Sequence, residues 1–524
     1  METVSRYVLL CVVICLGVHV IGAERVLIVP PAIAGSHWFP LASVGQALAA
    51  RGHDVTAVVS QDIVAKRRAE RPDLRFDSFD DQRSFARVET LTGQMSEISN
   101  QSVFRIFQHF QEAFKCWTQH CDLLLGDGEL MGRLKQARFQ VVVTEPFMCP
   151  CGAIVAAYLG VPHVALIRGD PSGLDGRANG VPRPPSYVPS IVSPFTDRMT
   201  FKERVLNTVM SCAVPMVFQW VIEGANNDLV IKYLGEKETL LGVMGKTDVW
   251  LYQIGVLLDL PAPSMPNMVN VGGINAREAS PLSEDLELFM QSSGSTGVVV
   301  VSFGSQAKTI SLERAEVMAA AFSRLRQKVV WRYVGEKPAG LGNNTKLMSW
   351  LPQNDLLGHP TTRAFVTHAG SNGLYEALYH GVPVVCTPLA GDQPGNAARA
   401  VSRGLGVILD FHTLSSETLY QGITQVLTNE SYRETAARLS RLHRDQPQSP
   451  MERAVWWIEH VIKHGGLPHL RARAVELPWY QYYLLDVAAF LLAVCTAVLG
   501  TVWYSCVFIC RKMCCKSGGK LKSQ

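Results

Sequence analysis

Two separated stretches of the chain repeat a strand–helix–strand grammar, and the repetition predicts an α/β protein of two facing Rossmann-like domains. In the first stretch, Arg25-Val-Leu-Ile-Val is a short apolar run typical of a buried parallel strand. Leu41, Val44, Leu48 and Ala49 then recur at helical spacing, and Val55 to Val59 reads as the next strand. In the second, the strand Val298 to Phe303 lies between Gly297 and Gly304, and a helix is expected over Leu312 to Arg326. Strand Val329 to Tyr333, strand Ala364 to Thr367, helix Gly373 to Tyr379 and strand Pro383 to Cys386 complete it. Strands joined by helices call for parallel sheets covered on both faces. Ligands gather at the C-terminal strand ends of such sheets.

Length and charge set the outer bounds. At 524 residues the chain has room for roughly two to four domains of about 150 residues. A net charge of +4 over that length argues against a nucleic-acid partner. The expected organisation is a signal peptide over 1–23, an N-terminal α/β domain over 24–275 and a linker over 276–295. A C-terminal α/β domain over 296–478, a transmembrane helix over 487–509 and a tail over 510–524 follow.

Both ends point to a membrane address. Residues 1–23 carry Arg6, an apolar core from Tyr7 to Ile21 and a Gly22-Ala23 ending, the layout of a cleavable secretory signal. An uncleaved anchor is the rival reading. The 23 residues from Val487 to Ile509 contain no charge, and a helix needs about 20 to cross a bilayer. Trp479, Tyr480, Tyr482 and Tyr483 precede them as interfacial aromatics. Arg511, Lys512, Lys516, Lys520 and Lys522 follow with no acid among them, so the tail is expected to be cytoplasmic and the body lumenal. Lys520 and Lys522 also resemble a dilysine signal for retrieval to the endoplasmic reticulum. Asn100, Asn343 and Asn429 head N-x-S/T sequons, consistent with a lumenal body. Cys116, Cys121, Cys149, Cys151, Cys212 and Cys386 belong to that body, where disulfides are permitted but not demanded.

The middle of the first half is less regular. Gly and Pro make 170–194 a loop. The segment 195–224 mixes Arg198, Lys202 and Arg204 with Val205, Leu206, Val209, Met216 and Trp220. Packing against the N-terminal domain is the expectation, with a membrane-surface or acceptor-channel role as the alternative.

The chemistry concentrates between Trp350 and Asn396. Trp350, held on a loop by Pro352, offers a stacking face, and Gln353 can pair with a base edge. His368 and a run of small residues mark a strand-to-helix turn, where backbone N–H groups and the helix start favour phosphate. Glu376 lies in the first part of that helix and can accept ribose hydroxyls; Asp392-Gln393 suit hexose hydroxyls. Ser302-Phe-Gly-Ser is a further turn toward the same cleft. In the other half, His37 follows the first strand, and its ordinary pKa of about 6.5 suits a general base. Glu145 ends the strand Val141-Val-Val-Thr and can orient that imidazole. Each of these residues alone is equally at home in a structural role. With no Asp-x-Asp pair and no metal-ligand cluster, no metal or other cofactor is expected.

The run WLPQNDLLGHP…FVTHAGSNGLYEALYHGVPVVCTPLAGDQPGN resembles the signature of the membrane-bound animal UDP-glycosyltransferases, the family of the UDP-glucuronosyltransferases. The likeness extends over nearly the whole chain. It implies a GT-B fold and an inverting transfer from a UDP-sugar co-substrate, UDP-glucuronic acid, to a hydroxyl of a lipophilic small molecule. His37 would be the base and Glu145 its partner. Trp350 and Gln353 would hold uracil, Glu376 the ribose, and His368 with Ser302, Asn372 and Gly373 the diphosphate. Asp392 and Gln393 would hold the sugar, and Arg332 and Arg399 are candidate partners for a glucuronate carboxylate. The family has Asp where this chain has Glu145, whose extra methylene is expected to displace the base. It has Gly where this chain has Ala369, whose methyl is expected to crowd the phosphate. A homo- or hetero-oligomer is compatible with all of this. The stretches Gln327-Lys-Val-Val-Trp-Arg and Gly342-Asn-Asn-Thr-Lys also resemble the ceramide galactosyltransferase branch, so a lipid hexosyltransferase is the enzymatic alternative. A non-catalytic UDP-sugar-binding partner subunit is the alternative of a different class.

Overall fold

The computed structural model describes residues 23–517 except 33–34, 94–102, 147–149, 170, 172 and 305–309. The leader expected over 1–23 (but for its last residue), the Asn100 sequon, Cys149 and the tail lysines Lys520 and Lys522 lie outside the described residues. Residues 1–471 form one compact unit and 472–524 a second.

The first unit contains two parallel sheets. In chain order the first has β1 (Arg25–Val29), β2 (Asp54–Ser60), β3 (Arg75–Phe79), β4 (Val141–Thr144), β5 (His163–Ile167), β6 (Val249–Tyr252) and β7 (Met268–Asn270). The second has β8 (Val298–Ser302), β9 (Lys328–Arg332), β10 (Thr345–Met348), β11 (Thr362–Thr367), β12 (Val384–Cys386) and β13 (Gly406–Ile408). Their spatial orders are β3-β2-β1-β4-β5-β6-β7 and β10-β9-β8-β11-β12-β13. Both orders reverse direction once, between β1 and β4 and between β8 and β11. The crevice at such a reversal is where ligands bind in open α/β sheets.

The strands are apolar because helices cover both of their faces. Val26 and Ile28 enter the core on one side of the first sheet, Leu27 and Val29 the core on the other, the period of two that a pleated strand imposes. The first core takes the helices Val103–Gly126, Cys151–Leu159 and Phe201–Leu234. Within it a disulfide joins Cys121 to Cys151. Val298 to Val301 are fully buried and alternate between the two cores of the second sheet in the same way.

Two boundaries differ from the sequence expectation. The linker region carries the helix Glu284–Gln291, whose Leu286 and Met290 are buried in the C-terminal core. Its acidic first turn is helix-stabilising, and three acids in eight residues read as solvated chain. The C-terminal domain expected over 296–478 also does not close on itself. The helix Pro450–His464 returns to the first sheet, where Ala454, Val455, Ile458, Val461 and Ile462 pack against Val26, Ile28, Leu41 and Val141. Glu459 fixes that return through Arg51 at 2.8 Å and His53 at 3.3 Å.

In the second unit, the helix Leu485–Ser517 contains the expected span; its stretch Leu485–Met513 is long and apolar enough to cross a membrane, and so is the helix Phe201–Leu234.

The cystine closes a loop with a sequence separation of 30, which constrains the unfolded chain by about 3.5 kcal/mol. Cys121→Ser is therefore expected to shift the denaturant midpoint of the first sheet's near-ultraviolet signal downward. An unchanged midpoint would show that packing alone holds these helices together.

Candidate active site

His37 ends the short 3-10 turn Gly35–His37 after β1, and the helix Trp38–Ala50 begins directly beyond it. Trp38 is buried between the Phe76 ring and the Arg67 guanidinium, which anchors the helix start. Glu145 follows β4, the strand next to β1. Its Oε1 stands 2.6 Å from His37 Nδ1, and the carboxylate is almost wholly buried while the imidazole is 16% exposed. The longer side chain of Glu145 therefore keeps the pairing. A carboxylate on Nδ1 assigns the proton to that nitrogen and leaves Nε2 as an acceptor.

The end of the cleft expected to take the nucleotide is built around Trp350, which is 56% exposed. Arg332 lies over its ring at 4.9 Å and donates to the carbonyls of Ser349 and Gly304. Phe39, two residues past His37, meets Trp350 edge-on at 6.2 Å, so the two domains touch beside the cleft. Gln353 Nε2 donates to Glu376 Oε2 at 2.6 Å. Loss of water raises the Glu376 carboxyl to about 7 against that hydrogen bond. The residues expected to hold base and ribose are thus adjacent.

The end expected to take the phosphates is shaped by close approach. The His368 imidazole lies against Gly304 and Gly370: a Cβ on Gly304 would stand 2.6 Å from its Cε1, and one on Gly370 would stand 2.5 Å from its Nε2. Desolvation lowers His368 to about 4, the charges of Arg168 and Arg332 act the same way, and Asp392 opposes them. The imidazole is therefore neutral and offers a hydrogen bond rather than a charge. The helix Ser371–His380 starts beside it. The N–H groups of Ser371, Asn372 and Gly373 have no acceptor inside that helix and make an anion-ready end.

Ala369 adopts φ +63 and is fully buried within the C-terminal core. Its methyl packs inward, and the residue carries the backbone strain of a left-handed conformation. Ser302 is buried, with its hydroxyl accepting from Gly304 N–H at 3.4 Å. It shapes the turn beside His368.

Asp392 and Gln393 also hold their own loop. Asp392 Oδ2 accepts from Asn396 Nδ2 at 2.8 Å, and Gln393 Oε1 accepts from the N–H groups of Leu389 and Ala390. Arg399 is buried and lies 3.2 Å from Asp259, which also accepts from Tyr375, so it ties the helix Gln393–Ser402 to the loop between β6 and β7. Arg332 and Arg399, the two cations expected at the sugar, are both engaged elsewhere.

Two residues escaped sequence reasoning. Arg168 follows β5 and sends its charge to His368 across the cleft; a cation at a strand end was the available signal. Asn396 braces both Ala369 O and Asp392, and nothing in its sequence context announces that. Of the sequon asparagines, Asn343 and Asn429 are exposed. Among the described residues no group of three His, Cys, Asp or Glu side chains is placed to hold a metal ion.

Gly370→Ala is expected to push the imidazole aside and weaken UDP binding by about tenfold or more, since one misplaced charge-assisted contact is worth 1.5–3 kcal/mol. Calorimetric titration with UDP reads this; unchanged affinity would free the His368 position from that role. Stability should also depend on acidity. Between about 4 and the ordinary 6.5, the unfolded chain takes up a proton that folded His368 refuses, so stability falls as pH falls through that window. Burial places His163 at about 3 and His380 and His443 at about 4, with the same sign. Glu376 acts oppositely, holding a proton from 4.5 to about 7 that the unfolded chain releases. His460 is lowered in the same direction and Asp175 raised by burial like Glu376, so five histidines against two carboxyls predict a lower melting temperature at about pH 5 than at about pH 7. A rise on acidification would contradict the neutral state of these histidines.

The family model described as UDP-glucoronosyl and UDP-glucosyl transferase matches residues 24–520. UDP-glucuronosyltransferase 2A2 of Homo sapiens is 39% identical over 507 residues, covering 94% of this chain and 94% of that protein. UDP-glucuronosyltransferase 2B1 of Rattus norvegicus is 40% identical over 490 residues, covering 91% and 92%. Among solved structures, the glycosyltransferase SnogD from Streptomyces nogalater has a TM-score of 0.58 at 17% identity, covering 84% of this chain and 100% of that one. Os79 from O. sativa in complex with UDP has a TM-score of 0.56 at 18% identity, covering 83% and 100%. At such identities these structures share the fold, the two-domain GT-B arrangement.

Proposed function

The chain belongs to the UDP-glucoronosyl and UDP-glucosyl transferase family and is a UDP-glycosyltransferase, and from that premise we propose that it moves glucuronic acid from UDP-glucuronic acid to a hydroxyl of a lipophilic small molecule. The observation that carries the reading is the 2.6 Å His37–Glu145 pair at the reversal point of the first sheet. Glu145 fixes the tautomer, and His37 Nε2 takes the proton from the acceptor hydroxyl. The freed oxygen attacks the anomeric carbon from the face opposite UDP, so an α-linked donor yields a β-glycoside. Charge then grows on the departing UDP. The start of the helix Ser371–His380 and the His368 ring meet that charge as fixed dipoles.

On this reading Trp350 and Gln353 hold uracil, Glu376 the ribose, and Asp392 and Gln393 the sugar. Asn372 and Gly373 supply N–H groups to the diphosphate. Arg332 braces the Trp350 platform. The helix Leu485–Ser517 anchors the protein once in the membrane of the endoplasmic reticulum, with the catalytic body lumenal.

The test is a membrane-fraction assay with UDP-glucuronic acid, UDP-glucose and UDP-galactose against a phenol and ceramide. UDP-glucuronic acid with the phenol is expected to give the highest kcat/KM. His37→Ala and Glu145→Gln should each lower kcat by about 10²–10⁴ with UDP affinity unchanged, the usual worth of a positioned general base. Turnover retained in His37→Ala would remove that residue from the role of base. A preference for a UDP-hexose with ceramide would transfer the reading to lipid hexosyl transfer, and UDP-sugar binding without turnover would make the protein a non-catalytic partner.

A further inference from the structure

A glucuronate donor carries an anion besides its diphosphate, the carboxylate at C6, and the two cations first expected to meet it are occupied. Arg332 lies over Trp350 and donates to the carbonyls of Ser349 and Gly304, and Arg399 is buried against Asp259 and Asn396. A carboxylate taken out of water needs a charged or hydrogen-bonding partner.

Arg168 stands where such a partner is needed. It directly follows β5, which lies next to β4, the strand that Glu145 follows. The register pairs Thr144 with Ala165, so Glu145 is level with Leu166, and Arg168 lies two positions farther out. The period of two of a pleated strand puts Glu145, Leu166 and Arg168 on one side of the sheet. Arg168 therefore shares its part of the sheet edge with the His37–Glu145 pair.

A chain of contacts leads from Arg168 to the other domain. Gly169 turns with φ +73, and a Cβ there would stand 3.6 Å from Ile191 Cδ1. The carbonyls of Ile191 and Ser193 in turn come within 3.5 and 3.1 Å of where a Cβ on Gly395 would stand. Gly395 is in the first turn of the helix Gln393–Ser402, beside Asp392 and Gln393. The segment after Arg168 thus closes on the residues proposed to hold the sugar. The electrostatics agree, since Asp392, Arg168 and Arg332 all act on the His368 imidazole. Next to Arg168, Gln253 follows β6 with its N–H bonded to Ile167 O at 2.8 Å. Its side chain is buried, and its Nε2 meets no acceptor among the described residues.

We propose that Arg168 determines donor choice, its guanidinium meeting the C6 carboxylate of the transferred sugar with the Gln253 amide as a neighbouring donor, an assignment that rests on the glucuronosyl reading above. A planar guanidinium suits a carboxylate because two parallel N–H groups meet its two oxygens. The diphosphate is the other anion in question, and the start of the helix Ser371–His380 already offers it N–H groups. A neutral hexose presents no charge to the guanidinium, so this position favours an acidic sugar over glucose or galactose.

The full-length parent, Arg168→Gln and Arg168→Lys are assayed in membrane fractions with UDP-glucuronic acid and UDP-glucose against one phenol, with inhibition by UDP measured for each. Arg168→Gln is expected to lower the ratio of kcat/KM for UDP-glucuronic acid over UDP-glucose by about ten- to a hundredfold. Arg168→Lys should recover part of that ratio, because the charge remains without the fork. A loss of UDP affinity as large as the loss for UDP-glucuronic acid would put Arg168 on the diphosphate and overturn the assignment. An unchanged donor ratio in a parent that prefers UDP-glucuronic acid would overturn it too, and would leave the glucuronosyl reading standing. A parent that prefers UDP-glucose would overturn both.

Discussion

The site depends on one constraint of parallel sheets, the reversal of strand order. A right-handed crossover after β1 must leave from one face and the crossover after β4 from the other, so the two strand ends remain uncovered between them. The register pairs Val29 with Thr144, which puts Glu145 one residue beyond its partner strand's end and next to the turn that carries His37. The second sheet repeats the device at β8 and β11, where Thr367 is paired with Ser302, and so Gly304 and His368 meet. The positions of the proposed base, its carboxylate and the proposed phosphate turn are therefore consequences of topology before they are consequences of side-chain choice.

The cleft is lined by polar groups whose charged forms burial disfavours. His368 is held neutral and Glu376 has its carboxyl raised to about 7, both through loss of water. Gln353 and Glu376 meanwhile satisfy one another. A cleft of this kind meets a diphosphate with oriented dipoles, which need no rearrangement as charge moves onto the leaving group. The degree of burial that sets both states is a property of the fold and not of the motif.

What the sequence disclosed was local. The short apolar runs gave the strands that are buried on both faces, and Trp350, Gln353, His368 and Glu376 fell in one stretch whose spacing already placed them around a strand-to-helix turn. His37 and Glu145 were legible as candidates because each follows a strand, although 108 positions separate them. Three things were hidden. The return of the helix Pro450–His464 to the first sheet rests on contacts spanning about four hundred residues, such as Glu459 with Arg51. The helix Phe201–Leu234 breaks the rule that apolar residues mark the inside, because its apolar stripe faces outward. Gln393 and Ser302 look like ligand-binding residues in a motif, yet their oxygens are committed to neighbouring N–H groups, a fact that only backbone geometry reveals.

Ala369 shows how such a departure is tolerated. A non-glycine residue in the left-handed region costs roughly 1–2 kcal/mol. Against this, burying one methyl contributes about 0.8 kcal/mol, and alanine in place of glycine restricts the unfolded chain by about 0.4–1 kcal/mol. These gains offset part of the strain, since alanine at a positive φ still costs more than it returns through the unfolded chain. The peptide is held besides by Asn396 Nδ2 on Ala369 O and by Thr367 Oγ1 beneath Ala369 N. The left-handed turn is thus fixed by its neighbours, and the side chain at 369 is buried in the core. A substitution that reads from the motif as a defect at the ligand is, in the fold, a partly offset strain beneath the turn.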